Sequence, residues 1–265
     1  LPEVRVIKEN AGVILEEFED IDKLQLKVCI TGPYTLASFF PGWDEHIFEM
    51  LGKPVAQMVS ENVCKTPKLR TEIVALDEPI FGEDDPRLDY GRRGREILLK
   101  TWDEIFNEAK KKGAITVLHL HKTTDELFWN LENVQVIESH VDDPLYSSER
   151  TRKMLEKTGK TVRASIAKTN FDELIGERKR SEGKSFEEVA GEIWVKIKRG
   201  EIKPEDFVED LATMSKRLKR VIDFLGEERV THAGPECGLR GFPTHESAME
   251  CLRRVVKATN LIRDS

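Results

Sequence analysis

Six short apolar runs, each ending in a polar or Gly/Pro-containing motif and each followed by a helical pattern, constrain this chain more than anything else in it. The runs are residues 26–31, 72–76, 114–118, 134–138, 161–166 and 229–232. Short continuous apolar runs suit strands buried on both faces, as in a parallel sheet covered by helices. Between them, Ile97, Leu98, Trp102, Ile105, Phe106 and Ala109 trace one helix face closed by Gly113. A second such face runs from Phe207 through Leu218 to Leu225 in a helix opened by Pro204 and closed by Gly226. Strand and helix in alternation imply an α/β fold with its site at the strand carboxyl ends. A doubly wound sheet would carry a Gly-rich phosphate turn, and neither G-x-G-x-x-G nor G-x-x-x-x-G-K-[ST] is present. The expectation is therefore a (β/α)8 barrel of the TIM type. Six units are two short of closure and would leave raw edges, so the first two βα units are expected to be missing from the chain as given.

At 265 residues the chain suits one barrel domain over 1–265, with a hairpin decoration over 1–20 and a helical excursion over 176–226. The hairpin reading rests on Val-Arg-Val-Ile, an Asn-Ala-Gly turn and Val-Ile-Leu, and the excursion opens on a charged 176–186 segment with no assigned function. A formal net charge of −7 gives no basic excess for nucleic acid or anionic lipid, so a small soluble ligand is expected. Four cysteines without Cys-x-x-Cys or a leader pattern argue for a reducing compartment, the cytoplasm, and no apolar run reaches a bilayer span. Cys29, Cys64 and Cys251 fit structural positions, while Cys237 follows a strand in a Gly/Pro-rich loop.

Chemistry gathers at the ends of the runs. His119 and His121 lie two apart, which in a strand aims both imidazoles at one space. An isolated His-x-His is more often a hydrogen-bonded rim feature than a metal site. Glu138 closes the next run, however, and Cys237 follows the last, so N, O and S donors converge at three strand ends. Thr31-Gly-Pro-Tyr-Thr35 leaves the first run through a tight turn, and Asp77-Glu78-Pro79 leaves the second.

These motifs resemble the catalytic barrel of cobalamin-independent methionine synthase, in a short form without that family's N-terminal domain. Thr31–Thr35 is similar to the family's TGPxT, Leu76-Asp-Glu-Pro79 to its IDEP and Pro235-Glu-Cys-Gly-Leu-Arg240 to its PDCGLK, while His119-x-His121 with Glu138 stands where it has H-x-C and then Glu. The resemblance implies a zinc ion on His119, His121, Glu138 and Cys237, binding the homocysteine sulfur as thiolate, with His140 as a substitute ligand. It implies Asp77 as holder of the substrate ammonium and catalytic residue, with Thr31, Glu78 and Phe39 lining substrates, and hence a homocysteine S-methyltransferase making methionine. Imidazole in place of the family's second thiolate would make this ligand set neutral.

The methyl donor is where departures matter. The family's folate-stacking Trp aligns with Phe39, and its proton-donating His has no counterpart in 165–173. A tetrahydrofolate amine leaves poorly unless protonated, whereas a corrinoid leaves as reduced cobalt. A methylcorrinoid, carried by a partner protein, is the expected donor. Methyl-tetrahydrofolate is the runner-up, with His232 or Lys168 as replacement acid. Two other readings are a metal-free barrel like uroporphyrinogen decarboxylase and a non-catalytic partner subunit.

Overall fold

Alternating strands and helices appear where the apolar runs place them. The computed structural model describes residues 1–18, 20–41, 44, 46–82, 91–178 and 185–264. These pack as two compact units, Leu1–Glu138 with Lys153–Thr161, and Ser139–Arg152 with Val162–Ser265.

In the first unit, α1 (Pro2–Glu16) precedes β1 (Leu24–Thr31), α2 (Pro33–Ala37), α3 (His46–Asn62), β2 (Leu69–Glu78), α4 (Gly91–Lys111), β3 (Ile115–Leu120) and β4 (Val136–Glu138). The four strands pair in chain order, all parallel. Val28, Ile30, Val74, Leu76, Leu118 and Leu120 are buried, and Trp102 and Phe106 of α4 are fully covered. Each such aromatic contributes about 2–3 kcal/mol of apolar burial. The alternate positions Ala75, Val117 and Val136 form a separate buried cluster with Ile73 and Ile115 packed on it, so both sheet faces carry side chains that must be covered. Gly113, at φ +80°, ends α4 in the left-handed conformation that a side chain resists.

The hairpin expected over 1–20 is corrected to a helix. Pro2 opens α1, the Asn10 amide donates to the Val6 carbonyl at 2.8 Å, and Ala11 is buried. Asn10-Ala11-Gly12 therefore continues the helix where it reads locally as a turn, because β-branched content decides little without strand partners. Cys29, expected in a buried run, is exposed.

α5 (Glu149–Thr158) and β5 (Thr161–Ala167) cross the unit boundary, and Ser148 caps α5 by accepting from Thr151 N at 3.1 Å. The second unit continues with α6 (Phe171–Arg178), α7 (Phe186–Lys198), α8 (Leu211–Leu225), β6 (Val230–Pro235) and α9 (His245–Arg263). Residues 179–184 of the charged excursion lie outside the described residues. β5 and β6 are parallel neighbours, α8 packs on α9, and Leu218, Val221, Cys251 and Val255 of these two helices are buried. The single helix expected from Pro204 to Gly226 is a 3-10 turn, Pro204–Phe207, followed by α8. Asp210 makes the break by accepting from Thr213 N at 2.8 Å as the cap of α8. Among the described residues, no helix is long and apolar enough to cross a membrane.

Candidate metal and thiol site

Register builds a polar row in the first unit. Thr31 lies beside Asp77, Asp77 beside His119 and His119 beside Glu138, one row across the carboxyl ends of four parallel strands. Two residues back along each strand lies the row Cys29, Ala75, Val117 and Val136, whose last three members are the buried apolar cluster. Strand alternation puts both rows on the same face, so the polar row rests on an apolar floor. His121, just beyond β3, stacks edge-on against His119 with ring centroids 5.5 Å apart.

His119 and Glu138 are both buried, and His119 Nδ1 stands 3.3 Å from Glu138 Oε1. The same oxygen accepts a hydrogen bond from Lys27 Nζ at 2.8 Å. Lys27 sits on β1, 111 residues earlier, two before Cys29 and four before Thr31. It was not among the residues the sequence singled out; its only signal there is a charge inside an apolar run.

Glu78 points to the opposite face from Asp77. Its carboxylate is fully buried and accepts from Tyr34 N at 3.0 Å, Thr35 N at 2.6 Å and Trp102 Nε1 at 2.7 Å. Tyr34 stacks on Phe48 and meets Phe81 edge-on, and Phe81 does the same with Trp102. Burial in this aromatic cage raises the Glu78 pKa from 4.5 to about 7, against the lowering by its hydrogen-bond donors. A Cβ on Gly32 would lie 2.1 Å from Glu78 Oε1, so the turn needs glycine for close approach. Expected to line the substrate, Glu78 instead uses its carboxylate to hold the Thr31–Thr35 turn. Phe39, three residues beyond Leu36, is 74% exposed.

The second unit brings a thiol and an imidazole together: His140 Nε2 is 3.1 Å from Cys237 Sγ. Both loops are anchored. Tyr146 Oη accepts from Ser139 N at 2.9 Å, and the buried Glu236 accepts from Val141 N at 3.1 Å and from Thr169 N at 2.9 Å. Glu236, the neighbour of Cys237, thus ties three strand-exit loops, a role no spacing in the sequence announced. His232 stands in the middle of β6, with Thr231 Oγ1 at 2.9 Å, in a groove of about 340 Å³ lined by Leu218, Ile222, Thr259 and Ile262 of α8 and α9. Cys237 lies five positions further along the chain, in the bend past the end of β6 at Pro235. The Lys168 ammonium pairs with Glu177 at 2.5 Å; against the lowering effect of burial, its glutamate neighbours raise its pKa.

No family model matches the chain, and no curated protein matches it. Among solved structures, a putative orotidine 5'-phosphate decarboxylase from Streptomyces avermitilis ma-4680 aligns over 96% of this chain and 95% of its own at 13% identity, with a TM-score of 0.37, too low to support an argument. A B12-independent methionine synthase from Shewanella sp. W3-18-1, solved in complex with selenomethionine, aligns over 97% of this chain and 67% of its own at 14% identity, with a TM-score of 0.59. At that identity the likeness is one of fold, and this chain shares the fold along nearly its whole length.

Proposed function

We propose that this chain is a zinc-dependent methyltransferase that methylates the thiol of homocysteine to give methionine, on a barrel of the TIM type. The observation that carries the reading is the meeting of His140 Nε2 with Cys237 Sγ at 3.1 Å, an imidazole and a soft thiol held as two ligands of one ion would be. His119 on the first unit's polar row and His121 just beyond β3 supply two further imidazoles. Each unit thus offers a donor pair, His119 with His121 and His140 with Cys237, and imidazole nitrogen and thiolate sulfur are donors that suit zinc. Bound there, zinc supplies a Lewis acid that lowers the pKa of the substrate thiol.

The remaining work falls to the chain. Asp77, half-buried beside Thr31 and His119, offers a carboxylate to the substrate ammonium. Thr31 adds a hydroxyl on the same row. During transfer the sulfur lone pair forms the new S–C bond, the donor's bond to the methyl carbon breaks, and that electron pair stays with the leaving group. A tetrahydrofolate nitrogen then needs a proton. His232 lies among helix side chains and Lys168 is held charged by Glu177, so neither is well placed to give one. A reduced corrinoid needs none, which supports a methylcorrinoid, carried by a partner protein, as donor over methyl-tetrahydrofolate.

Supplying zinc-loaded protein with homocysteine and each donor separately, and measuring methionine, tests this. Turnover is expected with a methylcorrinoid; turnover with methyl-tetrahydrofolate alone would overturn the donor. No turnover with either, in protein holding less than about half an equivalent of zinc, would favour a metal-free decarboxylase or a non-catalytic subunit. Asp77→Asn is expected to keep zinc and weaken homocysteine binding by about 2 kcal/mol, read by calorimetric titration. Unchanged affinity would remove Asp77 from the substrate site.

A further inference from the structure

Glu236 stands next to Cys237 in the chain, and its carboxylate grips the residue next to His140. Its Oε2 accepts from Val141 N at 3.1 Å across 95 positions of sequence, while its Oε1 accepts from Thr169 N at 2.9 Å. The backbone on either side of the thiol loop's start is fixed as well: Glu236 N donates to the Ala167 carbonyl at 2.9 Å, and the Arg163 guanidinium donates to the Pro235 carbonyl at 2.9 Å. A Cβ on Gly234 would run into that guanidinium, so the arginine can lie there only over a glycine. All of these groups belong to the second unit.

We propose that Glu236 is a positioning residue whose two hydrogen bonds set the spacing of His140 Nε2 and Cys237 Sγ, so that this pair stands assembled before an ion arrives. The inference rests on the zinc reading above and deepens it. The loop that carries His140 has neither helix nor strand over 139–143, and it holds Asp142 at φ +65°, in the left-handed region. A segment of that kind keeps its shape only where the bonds around it dictate one. Two ligands already at their bound spacing take up a metal without the entropic cost of ordering two loops. A carboxylate suits this duty because it accepts at both oxygens, as two N–H groups from two loops require. An amide has one acceptor and would turn its NH2 toward the other N–H.

Chelator competition for zinc and nitrogen-15 NMR of the metal-free protein test the arrangement. Glu236→Gln, which can keep only one of the two loops, is expected to weaken zinc binding about 10–100-fold, the range for groups that support a ligand without being one. Glu236→Asp keeps the charge but is too short to span both loops, and a loss in the same range is expected. Wild-type affinity in Glu236→Asp would overturn the proposal, since the charge alone would then account for Glu236. Asp210→Ala removes the cap of α8 in the same unit, and it is expected to lower the unfolding midpoint while leaving zinc affinity at the wild-type value. Equal weakening in Asp210→Ala would overturn the proposal too, by assigning the effect to stability. Without metal, the His140 Nε2 resonance is expected to move in Glu236→Gln and Glu236→Asp, as the thiol leaves its 3.1 Å contact. An unmoved resonance in both would overturn the proposal whatever the zinc result. A wild type that holds no zinc, with the resonance still moving in both variants, would sink the zinc reading and uphold the hold of Glu236 on the pair.

Discussion

Cys237→Ser is expected to lower zinc affinity by at least a factor of about one hundred and to remove methyl transfer with it. Binding free energies of four-ligand zinc sites run to roughly 10–16 kcal/mol, so one ligand accounts for about 3 kcal/mol or more. A serine hydroxyl cannot replace that contribution, because it keeps its proton near neutral pH where a metal-bound thiol does not. The substitution removes one atom's chemistry and little volume, and Glu236, which anchors the adjoining loops through Val141 N and Thr169 N, is untouched. A loss of metal would therefore report the ligand rather than a collapsed loop. Metal content after dialysis, with chelator competition for the affinity, measures it. Full zinc retention in Cys237→Ser would take this residue out of the site and leave its 3.1 Å contact with His140 as an ordinary thiol–imidazole pair.

How much of this was legible beforehand depended on the range of the interaction involved. The six strands among the described residues stood out because each is a local run of apolar side chains, and helices closed by Gly113 or capped by Thr244 carry their signals within a few residues. The row Thr31, Asp77, His119 and Glu138 was readable as four strand ends, although only strand pairing makes it a row. Strand alternation sends the neighbours Asp77 and Glu78 to opposite faces, yet the sequence reading set both at one substrate. Lys27 was not legible. Its meaning lies in a carboxylate 111 residues away, and no local pattern encodes a contact at that separation. The same holds for Glu236, whose partners sit in two other loops. The first helix was misread for the opposite reason. Its residues suit either state, and the burial of Ala11, a tertiary fact, goes with the helix.

Glu78 gives the second large effect, on stability rather than chemistry. Its pKa is raised from 4.5 to about 7 because burial disfavours the carboxylate more than three donors favour it. A group that holds its proton more tightly folded than unfolded stabilises fully below the unfolded pKa, and that stability is lost as pH rises through the folded pKa. The window is therefore pH 4.5 to about 7, and the loss across it is about 3 kcal/mol at 1.36 kcal/mol per pH unit. Other groups titrate in the same range, so the comparison needs a chain that lacks only this proton. Glu78→Gln serves. Its amide cannot titrate, and its NH2 must face either Thr35 N–H or the Tyr34 N–H and Trp102 Nε1–H pair, a donor-against-donor contact that costs about 1–3 kcal/mol. A protonated carboxyl avoids that clash, since its hydroxyl still accepts. The variant is thus expected to be less stable than wild type in acid, with the gap narrowing by about 3 kcal/mol between pH 4.5 and pH 8. Urea unfolding of the two metal-free proteins across that range reads the gap directly. A gap that stays constant with pH would mean that Glu78 keeps an ordinary carboxylate's pKa inside its aromatic cage, and that the Thr31–Thr35 turn is held by a permanent charge.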